Sequence, residues 1–310
     1  MSDFFGRKSR GPGKPDPADG RAPGKPKARK KAGGQPAAES PPQAAEQWCK
    51  KASALFVQGR PDDAIPLFEK ALELNPREAR AWIGTGLCLD TLGRREEAVE
   101  CYAEALAINP QDAETWSYKG DSLCRLGRFD EALRHLNKAL ELNPCLASAW
   151  LDEGLARNAL GKREEAIRCY DQALRLDRRS TEAWYNKGNT LCALGRFEEA
   201  LLCFNEALVL DPRDARAWNN KGVCLARLGC NDEAVPCYNK ALEIDPSYTV
   251  AWRAKAVVQE RLGRIPDALQ AYRQWIVVAS AQDAASIPDI QRHVRELEDW
   301  QGSPTAQPAS

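Results

Sequence analysis

From residue 45 to about residue 280, apolar and polar positions follow a helical period in paired stretches, and the pair recurs every 34 residues. The fifth pair shows the pattern clearly. In Thr181–Gly195 (TEAWYNKGNTLCALG), Trp184, Gly188, Leu191 and Leu194 fall three and four residues apart, the spacing of one helix face. Gly195 then supplies the left-handed conformation that ends a helix without a Cβ penalty. In Arg196–Pro212 (RFEEALLCFNEALVLDP), Glu198 and Glu199 occupy a first turn, where carboxylates favour the helix dipole. Ala200 and Ala207 are small enough for neighbouring helices to approach, and Pro212 marks where this second helix has stopped.

The same positions recur without an insertion. Tryptophan stands at 48, 82, 116, 150, 184, 218 and 252; glycine at 59, 93, 127, 161, 195, 229 and 263; alanine at 64, 98, 132, 166, 200, 234 and 268. A period of this length means stacked supersecondary units, each burying its apolar face against the next. The predicted units are 45–78, 79–112, 113–146, 147–180, 181–214, 215–248 and 249–282.

Departures from the columns carry their own expectations. Arg178 replaces the proline of the other units, which predicts a slightly longer second helix in the fourth. In the seventh, Trp275 stands in a column of small alanines and Ser280 in the proline column, which fits an ending. Beyond it, Ser286-Ile287-Pro288-Asp289 has an N-cap residue, an early proline and an acid three residues on. Ile287, Ile290, Val294, Leu297 and Trp300 follow on one face, predicting a capping helix over 283–301 that covers the last unit. A separate docking helix for a partner is the alternative.

Charge separates the N-terminal segment from the rest. The chain has 44 Lys/Arg and 44 Asp/Glu, yet residues 1–44 hold ten basic and four acidic side chains, a net +6 that leaves −6 on the remainder. The segment contains eight Pro and seven Gly but no Leu, Ile or Val. It cannot bury enough apolar surface to offset ordering entropy, so a disordered basic arm is expected over 1–44 and a short disordered tail over 302–310. No run of 18 apolar residues is present to span a membrane, and the first residues (MSDFFGRKSRGPGKP) have no apolar core of a secretory signal. The 11 cysteines form no CxxC pair and recur within the helical pattern, which points to reduced packing thiols and a cytoplasmic protein.

Candidate chemistry is sparse. His135 shares a column with Cys101, Cys169, Cys203 and Cys237, and His293 lies on the expected cap, so neither faces a nucleophile. Cys224, Cys230 and Cys237 lack zinc-type spacing. The pairs Glu96-Glu97, Glu164-Glu165 and Glu198-Glu199 each open a second helix, and no glycine loop cradles phosphate. No catalytic residue, metal or cofactor is expected, and the protein reads as non-enzymatic.

The motif Trp82, Gly86, Leu89, Gly93, Ala98, Tyr102, Ala105 and Pro110, repeated in the other units, resembles the tetratricopeptide-repeat family. The resemblance implies an all-α, right-handed superhelical solenoid of seven 34-residue helix-turn-helix repeats, here with a C-terminal capping helix. It also implies that first helices line a concave groove, and that the protein is an interaction scaffold or adaptor holding a partner's peptide segment or helix. Positions between the core columns of the first helix would carry specificity. Tyr185, Asn186, Asn189, Asn219 and Asn220 form one polar cluster there, able to pair with the main chain of an extended peptide; solvated surface is the plainer alternative. Arg125, Arg227 and Arg261, each nine places after its tryptophan, form a second set suited to carboxylates, against the alternative of ordinary surface arginines. The basic set with which some family members grip a chaperone's terminal carboxylate is not reproduced: Asn189 and Asn220 match two places, but Tyr185, Val250 and Ala254 stand where bases are needed. Lys51, Lys119, Lys187, Lys221 and Lys255 read as stems covering apolar surface. Two other functions stay open. One is weak, salt-dependent contact of the 1–44 arm with nucleic acid or an anionic surface, densest at Lys25–Lys31; the other is self-assembly through Phe4-Phe5.

Overall fold

The computed structural model describes residues 40–279 and 283–302. Fifteen α-helices and one 3₁₀ turn account for the regular structure, with no strand among the described residues. In chain order the helices are α1 (Pro41–Val57), α2 (Pro61–Leu74), α3 (Ala79–Thr91), α4 (Arg95–Ile108), α5 (Ala113–Arg125), α6 (Phe129–Leu142), α7 (Ala147–Ala159) and α8 (Arg163–Leu176). They continue as α9 (Thr181–Ala193), α10 (Phe197–Leu210), α11 (Ala215–Arg227), α12 (Asn231–Ile244), α13 (Thr249–Arg261), α14 (Ile265–Val278) and α15 (Ile287–Gly302). Each odd helix up to α13 packs antiparallel-fashion against the even helix that follows, and each pair packs on the next.

The arm expected over 1–44 lies outside the described residues except for its last five, which are ordered. Ser40 caps α1, its N–H and Oγ both donating to Gln43 Oε1 at 3.2 and 3.0 Å, and Pro41 and Pro42 sit in the first turn, where a missing N–H costs nothing. The tail expected over 302–310 lies outside the described residues beyond the end of α15.

Within each pair the turn is written by the seven columnar glycines, all at φ between 67° and 82°. At Gly195, the glycine N–H donates to Cys192 O (3.0 Å) and Arg196 N–H to Leu191 O (2.9 Å), satisfying the last carbonyls of α9. The other glycine column serves close approach. A Cβ on Gly188 would lie 2.8 Å from the ring of Phe204, and one on Gly222 the same distance from Tyr238, so the aromatic of the second helix rests on bare backbone of the first.

Between pairs, the tryptophan and an Asn/Asp column close the turn together. Asp211 Oδ1 accepts from Arg213 N–H at 2.9 Å, and Trp218 Nε1–H donates to Pro212 O at 3.0 Å. The fourth pair does the same without its proline: Asp177 accepts from Arg179 N–H (2.9 Å) and Trp184 Nε1–H donates to Arg178 O (3.1 Å). The longer second helix expected there does not occur, because α8 has the same 14 residues as its counterparts. The aspartate turn and the indole latch stop the helix: the first needs the N–H of Arg179, the second only a backbone carbonyl at position 178.

At the C-terminal end Trp275 is 2% exposed, filling space that alanine leaves elsewhere. A 3₁₀ turn (Ala284–Ser286) leads into α15, whose Ile290, Val294 and Leu297 pack on the Ala256–Tyr272 cluster of α13 and α14. Glu260 of α13 accepts from Tyr272 Oη (2.9 Å) and pairs with His293 Nε2 (3.0 Å). Trp300, expected on the apolar face, is 52% exposed.

Candidate interaction groove

The helix contacts define an inner and an outer side. The backbones of consecutive first helices (α1, α3, α5 and onward to α13) approach closely, whereas those of consecutive second helices stay farther apart and meet only through side chains such as Ile167. Pairs stacked in this way converge on the side of the first helices, so that side is the inner one. Neighbouring first helices are offset by two to three residues, and the offset sets which columns meet. The fifth residue after one tryptophan meets the second residue after the next, and the eighth meets the sixth. Asn189 with Asn220 exemplifies the first rule (2.7 Å), and Asp90 with Ser122 the second (2.6 Å).

The amide cluster forms where α9 faces α11. Asn220 Nδ2 donates to Asn189 Oδ1 (2.7 Å) and to Tyr185 Oη (3.3 Å), and Asn219 Nδ2 donates to Asn220 Oδ1 (2.9 Å). The guanidinium of Arg216 lies 4.9 Å from the centre of the Tyr185 ring. Two of the sequence-selected residues behave differently from their neighbours. Asn219 is only 2% exposed, with Oδ1 buried and unpartnered, and Asn186 takes no part in the network. The four that come together thus span two repeats, with their bonds closed mostly on each other.

The selected arginines do not form one set. Arg125 Nε lies 2.9 Å from both carboxylate oxygens of Asp121, so it is already engaged. It sits in an acidic stretch of the inner face. There Asp90 accepts from Tyr102 (2.8 Å) and Ser122 while its Oδ1 has no partner, and burial raises its pKa despite those donors. Asp152, 9% exposed, is pushed well above the ordinary carboxylate range by burial and then by Asp121 and Glu182. Arg227 lies over the ring of Phe197, 5.0 Å from its centre.

Arg227 and Arg261 do line one cleft, of about 350 Å³ between α11 and α13, to which Asp283 contributes a carboxylate. Its apolar walls include Val223, Val257 and Trp275, and Arg253 adds a third guanidinium. Sequence reasoning did not group Arg253 with Arg227 and Arg261, although it stands one place after Trp252 and eight residues before Arg261, hence on the same helix face. It also missed the role of Trp275: the break in the alanine column supplies part of the cleft wall.

Two other columns have structural work. Lys51, Lys187, Lys221 and Lys255 place Nζ 4.7–5.7 Å from the tryptophan three residues earlier. In the third repeat His135 stacks on Trp116 instead, with centroids 5.3 Å apart, and burial followed by the charge of Lys119 lowers its pKa to about 4. No helix of the described residues is long and apolar enough to cross a membrane.

Stacked helix pairs with an inner face of first helices define an all-α solenoid of the kind that serves as an interaction scaffold. Family models for the tetratricopeptide repeat match residues 49–113, 111–179, 181–214, 215–248 and 237–270, and the chain belongs to that family. Its repeats are generally scaffolds and not enzymes. Comparison with curated proteins yields no match. Among solved structures, YrrB, described as a TPR protein with an unusual peptide-binding site, is 27% identical over 61% of this chain and 97% of its own, with a TM-score of 0.51. Pseudomonas aeruginosa pilF (19% identity, 73% of this chain, 100% of its own, TM-score 0.62) shares the fold. So does a tetratricopeptide repeat protein of Parabacteroides merdae (17%, 82%, 99%, TM-score 0.59).

Proposed function

We propose that the inner face of α9, α11 and α13 is a non-enzymatic docking groove for an extended segment of a partner protein, in a cytoplasmic adaptor. The observation that carries this reading is the adjacency of two features. One is the pair of half-buried amides Asn220 and Asn189, backed by the buried Asn219; the other is a cleft with apolar walls lined by Arg227, Arg253 and Arg261 together with Asp283. Amides offer donors and acceptors that match a peptide main chain whatever its side chains. Guanidiniums around apolar walls select a segment in which an apolar residue is flanked by carboxylates. The likeness to YrrB, whose structure is described by its peptide-binding site, supports the same use of the fold.

The test is selection of displayed random peptides on the immobilised full-length chain, with affinities then measured by fluorescence polarisation. Enriched peptides should combine an apolar residue with Asp or Glu. Asn189→Ala with Asn220→Ala should weaken binding by about tenfold, the worth of one or two hydrogen bonds. Arg253→Ala with Arg261→Ala should weaken it further and flatten its salt dependence. Peptides that bind parent and both variants equally, with circular dichroism unchanged, would place recognition elsewhere on the molecule.

A further inference from the structure

The contact between the eighth residue after one tryptophan and the sixth after the next recurs along the inner face. Asp90 and Ser122 occupy it between α3 and α5, and between α11 and α13 Ala226 packs against the cluster that contains Val258. By the same count Cys124 is opposite Ala156, and Cys88 opposite Phe56. Only between α9 and α11 are both positions cysteine. There Cys192 Sγ and Cys224 Sγ lie 2.6 Å apart, although 32 residues separate them in the chain. A disulfide requires about 2.05 Å between sulfurs, so closure asks for a shift of about half an ångström between two helices already in contact.

We infer that Cys192 and Cys224 are a dithiol modification site, oxidised to an intramolecular disulfide by exchange with a small-molecule disulfide of the glutathione class. The two sulfurs have unequal surroundings, and these assign their roles. Cys192 is half-buried, whereas Cys224 is fully buried. The two sulfurs share one contact, in which either can donate, and the nearby charge of Arg227 favours a thiolate on Cys192. Cys192 is therefore the attacking thiolate. Its sulfur displaces one thiolate from the small disulfide, giving a mixed disulfide, and the released thiolate takes up the Cys192 proton. Cys224 then loses its proton and attacks the Cys192 sulfur, breaking the mixed disulfide and releasing the second thiolate, which is protonated in turn. Two protein thiols and one small disulfide become one protein disulfide and two small thiols. The bond would join α9 to α11 within one turn of Asn189 and Asn220, but the inference stands on the sulfurs alone and does not need the docking reading.

The experiment equilibrates the full-length chain with graded ratios of reduced to oxidised glutathione, quenches with an alkylating agent, and maps tryptic peptides by mass spectrometry. Cleavage after Lys187, Arg196, Lys221 and Arg227 leaves Gly188–Arg196 and Gly222–Arg227, each with one cysteine. The expected result is a single cross-linked pair of these peptides, with loss of two of the 11 alkylatable thiols. In Cys224→Ser, Cys192 should stop at the mixed disulfide with glutathione, and in Cys192→Ser the buried Cys224 should stay alkylatable only after denaturation. Both peptides remaining separately alkylated while other cysteines oxidise would overturn the assignment. So would a bond from either cysteine to a third. The parent protein alone gives this readout, so the result does not depend on the variants folding.

Discussion

Trp275→Ala restores the alanine of the other repeats, and column logic alone makes it harmless or favourable. The structure predicts the reverse. Trp275 is 2% exposed, among the largest fully buried side chains, and lines the arginine cleft together with Tyr238 and Val258. Removing an indole that buries roughly 200 Å² leaves a cavity that the helix backbones cannot fill, a loss of about 3–5 kcal/mol. In a linear array such a loss acts locally and does not spread over one two-state transition, so a single melting temperature is the wrong readout. Amide hydrogen exchange by mass spectrometry separates the repeats. Exchange in α13, α14 and α15 should accelerate by about a hundredfold or more, at about 1.4 kcal/mol per factor of ten, while α3–α6 keep their protection. The reciprocal change, Ala241→Trp, overpacks a site where alanine is fully buried and should also destabilise. Unchanged exchange in α13–α15 of Trp275→Ala would refute the reasoning, because it would mean that the tryptophan fills no space the fold needs.

Two predictions concern pH and have opposite signs. Between its ordinary value of 6.5 and its folded value of about 4, His135 binds a proton only in the unfolded chain, so stability falls as pH drops through that window. His135→Phe keeps a ring on Trp116 and should flatten that loss in urea titrations monitored by circular dichroism from pH 7 to 4. Asp152 is raised above 3.8, so over its window the folded chain holds the extra proton and stability falls as pH rises. Asp152→Asn should therefore be more stable than the parent at pH 7, by a margin that shrinks as pH approaches 4; an equal or lower stability at pH 7 would show that the carboxylate is better solvated or paired than its position implies.

How much of this was legible in the sequence follows from the range of each interaction. Turn glycines, first-turn acids and the apolar columns act within one helix pair, and the periodicity displays them directly: all seven columnar glycines have positive φ, and the seven columnar alanines are fully buried. The end of α8 was misread because proline is a visible signal, whereas the carbonyl that latches Trp184 belongs to every residue type. The inner face was legible only in part. Asn189 and Asn220 share a polar column character, but their bond depends on the offset between neighbouring first helices, which no single repeat encodes. The same offset buries Asn219 and leaves Asn186 outside the network.

That offset also explains why the candidate sites sit where they do. A repeat whose every column were filled alike would present the same face seven times and distinguish no place along the stack. Specific places arise only where two departures fall on positions that the offset brings together. Asparagines at the fifth and second places make the amide ladder, and cysteines at the eighth and sixth make the dithiol. Arginines at the first and ninth places after Trp252, closed below by the one tryptophan in an alanine column, make the cleft. A lone departure has no such consequence: Cys124, opposite Ala156, remains a half-buried thiol packed against the core around Leu123 and Leu136, with the backbone carbonyl of Asp152 at 3.7 Å. The unit of each proposed inter-repeat site is accordingly a pair of departures from the column residue in adjacent repeats, and substitutions that move one member of a pair to the next repeat should abolish the site while leaving composition and fold intact.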